Sequence, residues 1–280
     1  MPQVELEQAK IEYRVLGPED SVHPPVLFVH GILVDHRLWS TVAQRLADSG
    51  FRCILPDWPL GSHTTPVAAG ADVSPRGIAT MIRDVIRALN LSDVTLVGSD
   101  TGGGLCQFVI DAYPDDVGRV VLTNCDAFDK FPPFPFGAVF AMLRGPRSIK
   151  MLFTTLRARA LRHSPLGFGL LMRHRDPELT ESWLRPARTD PRIARDLAAL
   201  LRQVAVTDLI DVSTRLSQFT KPVALVWGQA DRCFTPALGR RLAALFPNSS
   251  MAEVADAKTF VALDDPDALV LAIEKIGSGV

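Results

Sequence analysis

The sequence predicts an α/β fold with a mostly parallel sheet and helices on both faces. Three observations predict it. Short apolar runs alternate with helically spaced segments along the chain. A glycine-flanked acidic turn joins one of those runs directly to a helix. A basic, phenylalanine-rich stretch at residues 131–215 interrupts the alternation.

The elements follow in order. Tyr13 reads as part of an early strand. Residues 26–29 (VLFV) form a short apolar strand that runs into His30-Gly31. Residues 51–55 (FRCIL) form another, ending at Pro56-Asp57. Residues 78–89 carry helical apolar spacing. Residues 94–97 (VTLV) are a third strand, and Gly98-Ser99-Asp100-Thr101-Gly102 follows at once. Residues 105–112 read as a helix that stops at Tyr113-Pro114. Residues 117–122 and 223–227 are further strands, the last ending in Gly228. Apolar strands alternating with helices imply a parallel sheet covered on both faces.

The middle of the chain differs. Residues 131–215 hold 14 Lys+Arg against 7 Asp+Glu, while the remainder holds 16 against 24. The segment opens with Phe131-Pro132-Pro133-Phe134-Pro135-Phe136 and then reads as helices. We expect a helical cap at 131–215, inserted into a core domain at 1–130 and 216–280. Ligands of open α/β sheets bind beyond the carboxyl ends of the strands, so the cap is expected to cover that end.

Composition excludes several classes. Of 280 residues, 47% are hydrophobic and 22% charged, which rules out a disordered chain and a small disulfide scaffold. The net charge of −1 gives no whole-chain field for nucleic acid. No secretory signal and no membrane span is visible, so a cytoplasmic protein without a membrane or nucleic-acid partner is expected. Cys53, Cys106, Cys125 and Cys233 are isolated and read as buried thiols, with no structural metal. Gly102-Gly103-Gly104 lacks both the dinucleotide-binding spacing and the phosphate-loop lysine, so no cofactor is expected.

The chemistry points to Asp100. Gly98-x-Asp100-x-Gly102, placed between a strand and a helix, has the geometry of a nucleophile elbow. Such a turn projects one side chain above the sheet and leaves no room for a Cβ on either side. The helix start favours a carboxylate there.

At this point the chain resembles the α/β-hydrolase superfamily, in its aspartate-nucleophile branch of haloalkane dehalogenases and epoxide hydrolases. His30-Gly31, with Trp39 after it, resembles the family's oxyanion loop. Asp57-Trp58-Pro59-Leu60-Gly61 resembles its D-x-P-G-x-G turn. Trp227-Gly228-Gln229-Ala230-Asp231 resembles the strand that ends in the triad acid. Residues 260–266 (FVALDDP) resemble the tail after the catalytic histidine. The resemblance implies an α/β-hydrolase fold. It also implies Asp100 as nucleophile or base, Asp231 in support, and the backbone N–H groups of Ile32 and Thr101 as an oxyanion hole.

One part of that pattern is missing. Thr259 stands where the histidine is expected, and no histidine follows His174. Neither threonine nor a charged lysine serves as a water base near neutral pH. Thr101 and Ile32 also replace the halide-holding tryptophan and asparagine, and the cap has no tyrosine for epoxide opening. The expected function is therefore a non-hydrolytic enzyme for an apolar, aromatic or polycyclic small molecule, working by proton abstraction, addition, cyclisation or isomerisation. Two alternatives stay open: a hydrolase of epoxides, esters or alkyl halides with a relocated base, and a catalytically silent binding protein. Candidate auxiliaries are His36, His63, Lys258, Thr259 and Asp126. Candidate pocket residues are Phe131, Phe134, Phe140, Trp183 and Phe260.

Overall fold

A computed structural model describes residues 1–278. Its strands are β1 (Gln3–Glu5), β2 (Lys10–Leu16), β3 (Val26–Val29), β4 (Cys53–Pro56), β5 (Val94–Asp100), β6 (Val117–Cys125), β7 (Val223–Gly228) and β8 (Ser249–Val254). They form one sheet in the order β1-β2-β4-β3-β5-β6-β7-β8. The β1-β2 and β2-β4 pairs are antiparallel, and every other pair is parallel. Strands β3, β4 and β7 are buried along their whole length, as a sheet covered on both faces requires.

Local sequence explains the flanking helices. α1 (Ser40–Asp48) buries Val42, Ala43 and Leu46 on one stripe. α2 (Pro75–Ala88) starts with Pro75 behind the cap residue Ser74, whose side chain accepts from Gly77 N. α3 (Thr101–Ala112) is buried over its first ten residues, because it lies directly on the central strand β5.

The segment between β6 and β7 is helical. It holds α4 (Phe136–Met142), α5 (Pro146–Thr155), α6 (Arg159–Arg162), α7 (Phe168–Leu171), α8 (Pro177–Thr189), α9 (Pro191–Gln203) and α10 (Val206–Ser213). α9 turns Ile193, Ala194, Leu197 and Leu200 inward, which is the helical period expected of an amphipathic cover. The chain then closes with α11 (Pro236–Ala243), α12 (Val261–Asp264) and α13 (Pro266–Gly277), the last packing on α1 and β7.

Polar contacts fasten the inserted helices to the sheet layer. Trp183 Nε1 donates to Asp35 Oδ1 at 3.0 Å, and Ser62 Oγ donates to Trp183 O at 2.8 Å. Phe260 N donates to Leu171 O at 2.9 Å. Arg215 closes the segment with a two-pronged ion pair to Asp111 on α3, at 2.7 and 2.8 Å. All four cysteines are free and buried. No helix of the described residues is long and apolar enough to cross a membrane.

Candidate active site

β5 ends at Asp100 and α3 begins at Thr101, with no loop between them. Asp100 absorbs the reversal alone at φ 55°, a left-handed conformation that costs energy for any residue but glycine. The flanking glycines make that turn possible. A Cβ on Gly98 would lie 2.6 Å from Cys106 Sγ, and one on Gly102 would lie 2.1 Å from Val29 O. Gly31 presses on the acid from β3, because a Cβ there would sit 2.1 Å from Asp100 Oδ2.

His30 holds that glycine loop in place. Its Nε2 accepts from Trp58 N at 2.9 Å, so Nδ1 carries the proton and donates to Gly31 O at 2.9 Å. Full burial lowers its pKa and keeps the ring neutral. Its role is structural.

Three carboxyl groups share this region. Burial raises Asp100 to about 7, aided by the charge of Asp231 and opposed by the Thr101 backbone N–H. Burial raises Asp231 to about 6, against donors at Cys233 N (2.7 Å), Phe234 N (3.1 Å) and Thr259 Oγ1 (2.8 Å). Asp126 is pushed well above the usual carboxylate range by burial first and by Asp100 second. The Thr101 hydroxyl draws it down a little, but neither carboxylate oxygen has a hydrogen-bond partner among the described residues.

Thr259 is central to what this arrangement can do. Its single hydroxyl proton goes to Asp231 Oδ2, and its backbone O accepts from Ser99 Oγ at 3.4 Å. A hydroxyl committed in this way orients Asp231 but cannot take a proton from water.

A cavity of about 480 Å³ opens above Asp100. That volume suits a small organic ligand. Ile32, Leu33, Asp100 and Thr101 form its floor, and residues of α4, α5, α6, α7 and α8 form its walls. Apart from the Asp100 and Thr101 end and a few polar groups such as Ser164, the lining is apolar. No histidine lines it among the described residues.

The alpha/beta hydrolase fold family matches residues 24–266 of this chain. The chain belongs to that family. Haloalkane dehalogenase 2 of Mycobacterium tuberculosis is 28% identical over 273 residues, covering 94% of this chain and 92% of its own length. A 2-hydroxy-6-oxononadienedioate/2-hydroxy-6-oxononatrienedioate hydrolase of Cupriavidus pinatubonensis is 25% identical over 236 residues, covering 81% and 77%. The crystal structure of the haloalkane dehalogenase DbeA from Bradyrhizobium elkani superposes with a TM-score of 0.79 at 19% identity, over 100% of this chain and 99% of that one.

In this α/β-hydrolase-fold chain the auxiliary candidates His36, His63 and Lys258 are engaged away from the cavity, whereas Asp126 and Thr259 lie beside Asp100 and Asp231. His36 is buried, and its backbone N and Nδ1 both meet Asp57 Oδ1, at 2.9 and 2.8 Å. It therefore does not reach the cleft mouth. His63 is also buried: Nδ1 accepts from Gly61 N, and Nε2 faces Asp196 on α9 at 3.5 Å. Lys258 pairs with neither Asp231 nor Asp100. Its Nζ donates to Gly169 O at 2.8 Å and Met172 O at 3.4 Å, holding α7 to the chain before Thr259. His163 bonds Thr180 inside the inserted helices, and exposed His174 faces Asp264.

The pocket residues need a similar correction. Phe140 lines the cavity. Phe131, Phe134, Trp183 and Phe260 do not. Phe131 packs on Phe108 beneath it. Phe134 is 88% exposed. Trp183 is sandwiched between Phe168 and Phe260, because its indole N–H reaches Asp35. The lining includes Phe136, Val139, Leu152, Leu156 and Leu184 instead. Helical spacing marks these as inward residues, but not as cavity rather than core.

Asp35, His36 and Asp57 stand close enough together to suggest a cation site. Their acceptor atoms are already engaged: Asp35 takes the Arg37 guanidinium and the Trp183 indole, and Asp57 takes His36. This cluster ties the loop after β3 to α8.

Proposed function

We propose that this α/β-hydrolase-fold protein is an enzyme for an apolar, aromatic small molecule, with Asp100 as a general base that does not hydrolyse its substrate. The contact of Thr259 Oγ1 with Asp231 at 2.8 Å carries this reading. It fills the position of a water-activating histidine with a group that donates and cannot accept a proton at neutral pH.

The rest of the site supports the same chemistry. A carboxyl titrating near 7 is well matched to a proton that must be both taken and returned at neutral pH. In the proposed step the Asp100 carboxylate accepts a C–H or O–H proton of the substrate. The electron pair moves onto a substrate oxygen as an enolate or phenolate. The N–H groups of Ile32 and Thr101, beside Asp100 on the cavity floor, stabilise that oxyanion. After rearrangement, addition or cyclisation, the Asp100 carboxylic acid returns the proton. The apolar walls offer few polar groups to hold water beside this exchange.

A second reading is favoured by the likeness to haloalkane dehalogenase 2 across nearly the whole chain. There Asp100 would attack carbon and displace a leaving group, and a relocated base would free the ester. Intact-protein mass spectrometry separates the two. The protein and an Asp100→Ala variant are incubated with a panel of alkyl halides, epoxides and activated esters. The proposal expects no adduct on Asp100 and no halide release. It also expects Asp100-dependent exchange of solvent deuterium into enolisable aromatic ketones. A stable adduct at Asp100, or ¹⁸O from water in a released product, overturns it in favour of attack on carbon.

A further inference from the structure

The inserted helices are charged very unevenly. Residues 131–175 contain eight Lys+Arg and no Asp or Glu. All seven acids of the 131–215 stretch come at Asp176 or later. Two of the eight cations are spoken for: Arg162 is buried against Glu181, and Arg173 pairs with Asp256. The other six, Arg144, Arg147, Lys150, Arg157, Arg159 and Arg175, are exposed and have no ion-pair partner among the described residues. The rest of the chain carries excess negative charge.

The same short segment carries most of the exposed large apolar side chains of the insertion. Phe134, Met142, Met151, Leu161 and Leu166 are each more than half exposed. Three of them, Met142, Leu161 and Leu166, also line the cavity above Asp100. Side chains that both line a cavity and face solvent mark its mouth. Phe134 and Met151 do not line the cavity, but they are exposed and adjoin the lining residues Pro133 and Leu152 in sequence. Arg144 comes two residues after Met142, and Arg159 two before Leu161. Exposed apolar side chains and unpaired cations therefore interleave along the segment that forms the mouth.

We infer that this face, formed by α4 to α6 and the turns around them, docks on an anionic lipid surface, with the cavity mouth turned toward the acyl chains. The charge complementarity selects the occupant. Cations near an anionic leaflet gain attraction that falls off within a Debye length of ~10 Å. Exposed Phe, Met and Leu side chains gain by entering the boundary between headgroups and chains. The acidic remainder is repelled by the same leaflet, which sets the orientation. An apolar ligand would then pass from the bilayer to the cavity without crossing water. No spanning helix is needed, and no helix of the described residues is long and apolar enough to be one. The inference departs from the expectation of no membrane partner, which was drawn from spanning segments. The inference does not depend on which reaction Asp100 performs.

Vesicle co-sedimentation tests it with the full chain. Vesicles of phosphatidylglycerol and phosphatidylcholine are compared with pure phosphatidylcholine at low and at 0.5 M salt. Binding is expected to the anionic vesicles at low salt only. Arg144→Gln with Arg147→Gln and Lys150→Gln is expected to weaken it on the order of a hundredfold. Phe134→Ser with Met151→Ser, both at exposed positions that leave folding intact by far-ultraviolet circular dichroism, is expected to weaken it at unchanged charge. Arg14→Gln with Lys275→Gln, away from this face, is expected to leave it unchanged. The inference is overturned by no binding to anionic vesicles, by equal binding to both vesicles, or by equal loss in the Arg14 and Lys275 variant. It is also overturned if a soluble polyanion such as heparin binds while vesicles do not, since the partner is then an acidic macromolecule.

Discussion

Thr259 donates its only hydroxyl proton to Asp231, at 2.8 Å, and the Asp231 charge in turn helps raise Asp100. The acid thereby has a partner that donates a proton and takes none at neutral pH. The contact predicts a gain of function. Thr259→His sets an imidazole beside Asp231, which is then free to orient it. Hydrolysis of p-nitrophenyl esters is expected to rise by about 10²–10⁴-fold over the parent, the usual contribution of a general base. Release of nitrophenolate reports it. A parent protein that already hydrolyses these esters as fast as the variant would show that another group activates water.

Asp100 predicts a pH-dependent stability. Its folded pKa, raised by burial to about 7, lies above its unfolded value near 3.8. The folded state then holds the extra proton between those values, so stability falls as pH rises from about 4 to about 7. Asp100→Asn removes Asp100's share of that dependence, leaving the shares of Asp231 and Asp126, and is expected to raise Tm at pH 8 and change it little at pH 4. The gain is at most a few kcal/mol. Thermal unfolding at the two pH values checks it, and a variant equally destabilised at both would contradict it.

The same titration sets a rate profile. If Asp100 works as a base, kcat/KM must rise with pH through about 7 and level off above it. The profile of the deuterium-exchange reaction reads this directly. A rate that falls through that range would mean Asp100 acts in its protonated form.

Gly31 predicts a steric effect without any change of charge. A Cβ at this position meets Asp100 Oδ2 at 2.1 Å and Asp100 Cβ at 2.8 Å. Gly31→Ala must move either the loop or the strained elbow residue. The expected cost is about 1–3 kcal/mol by denaturant unfolding, with loss of Asp100-dependent exchange beyond what the lower stability explains. An alanine variant with full activity would mean the elbow has slack that its contacts do not suggest.

The parts of this site legible in the sequence are those set by sterics over a few residues. Gly98 and Gly102 mark the elbow because no Cβ fits beside Val29 and Cys106. The wholly apolar runs of β3 and β7 mark buried parallel strands. β8 was not legible, because SSMAEV sits at the sheet edge and is largely exposed, so its pattern is polar. The histidines were not legible either. His36 and His63 stand close in sequence to loops that reach the site, yet their orientation is decided by Asp57 and by Asp196, a partner 133 positions further along for His63. The pocket was only half legible for the same reason. Phe134 and Trp183 look alike as aromatic candidates, and only the packing of α8 against the loop after β3 turns one outward and buries the other.

Leu156 offers a test of the cavity itself. It lies at the end of α5, lines the cavity, and is only partly buried, so a larger side chain has room to enter the open space and not the core. Leu156→Trp is expected to fill part of the 480 Å³, a cavity that Asp100 also lines. An apolar fluorescent probe such as 8-anilinonaphthalene-1-sulfonate should then bind about tenfold more weakly or more, since displaced contacts of ~1.4 kcal/mol suffice for that factor. Tm should change by little, because overpacking costs arise only where the core was full. Unchanged probe binding with unchanged stability would place the ligand elsewhere on the molecule. A large loss of stability would mean that Leu156 packs as core, and the inserted helices close more tightly over Asp100 than their lining suggests.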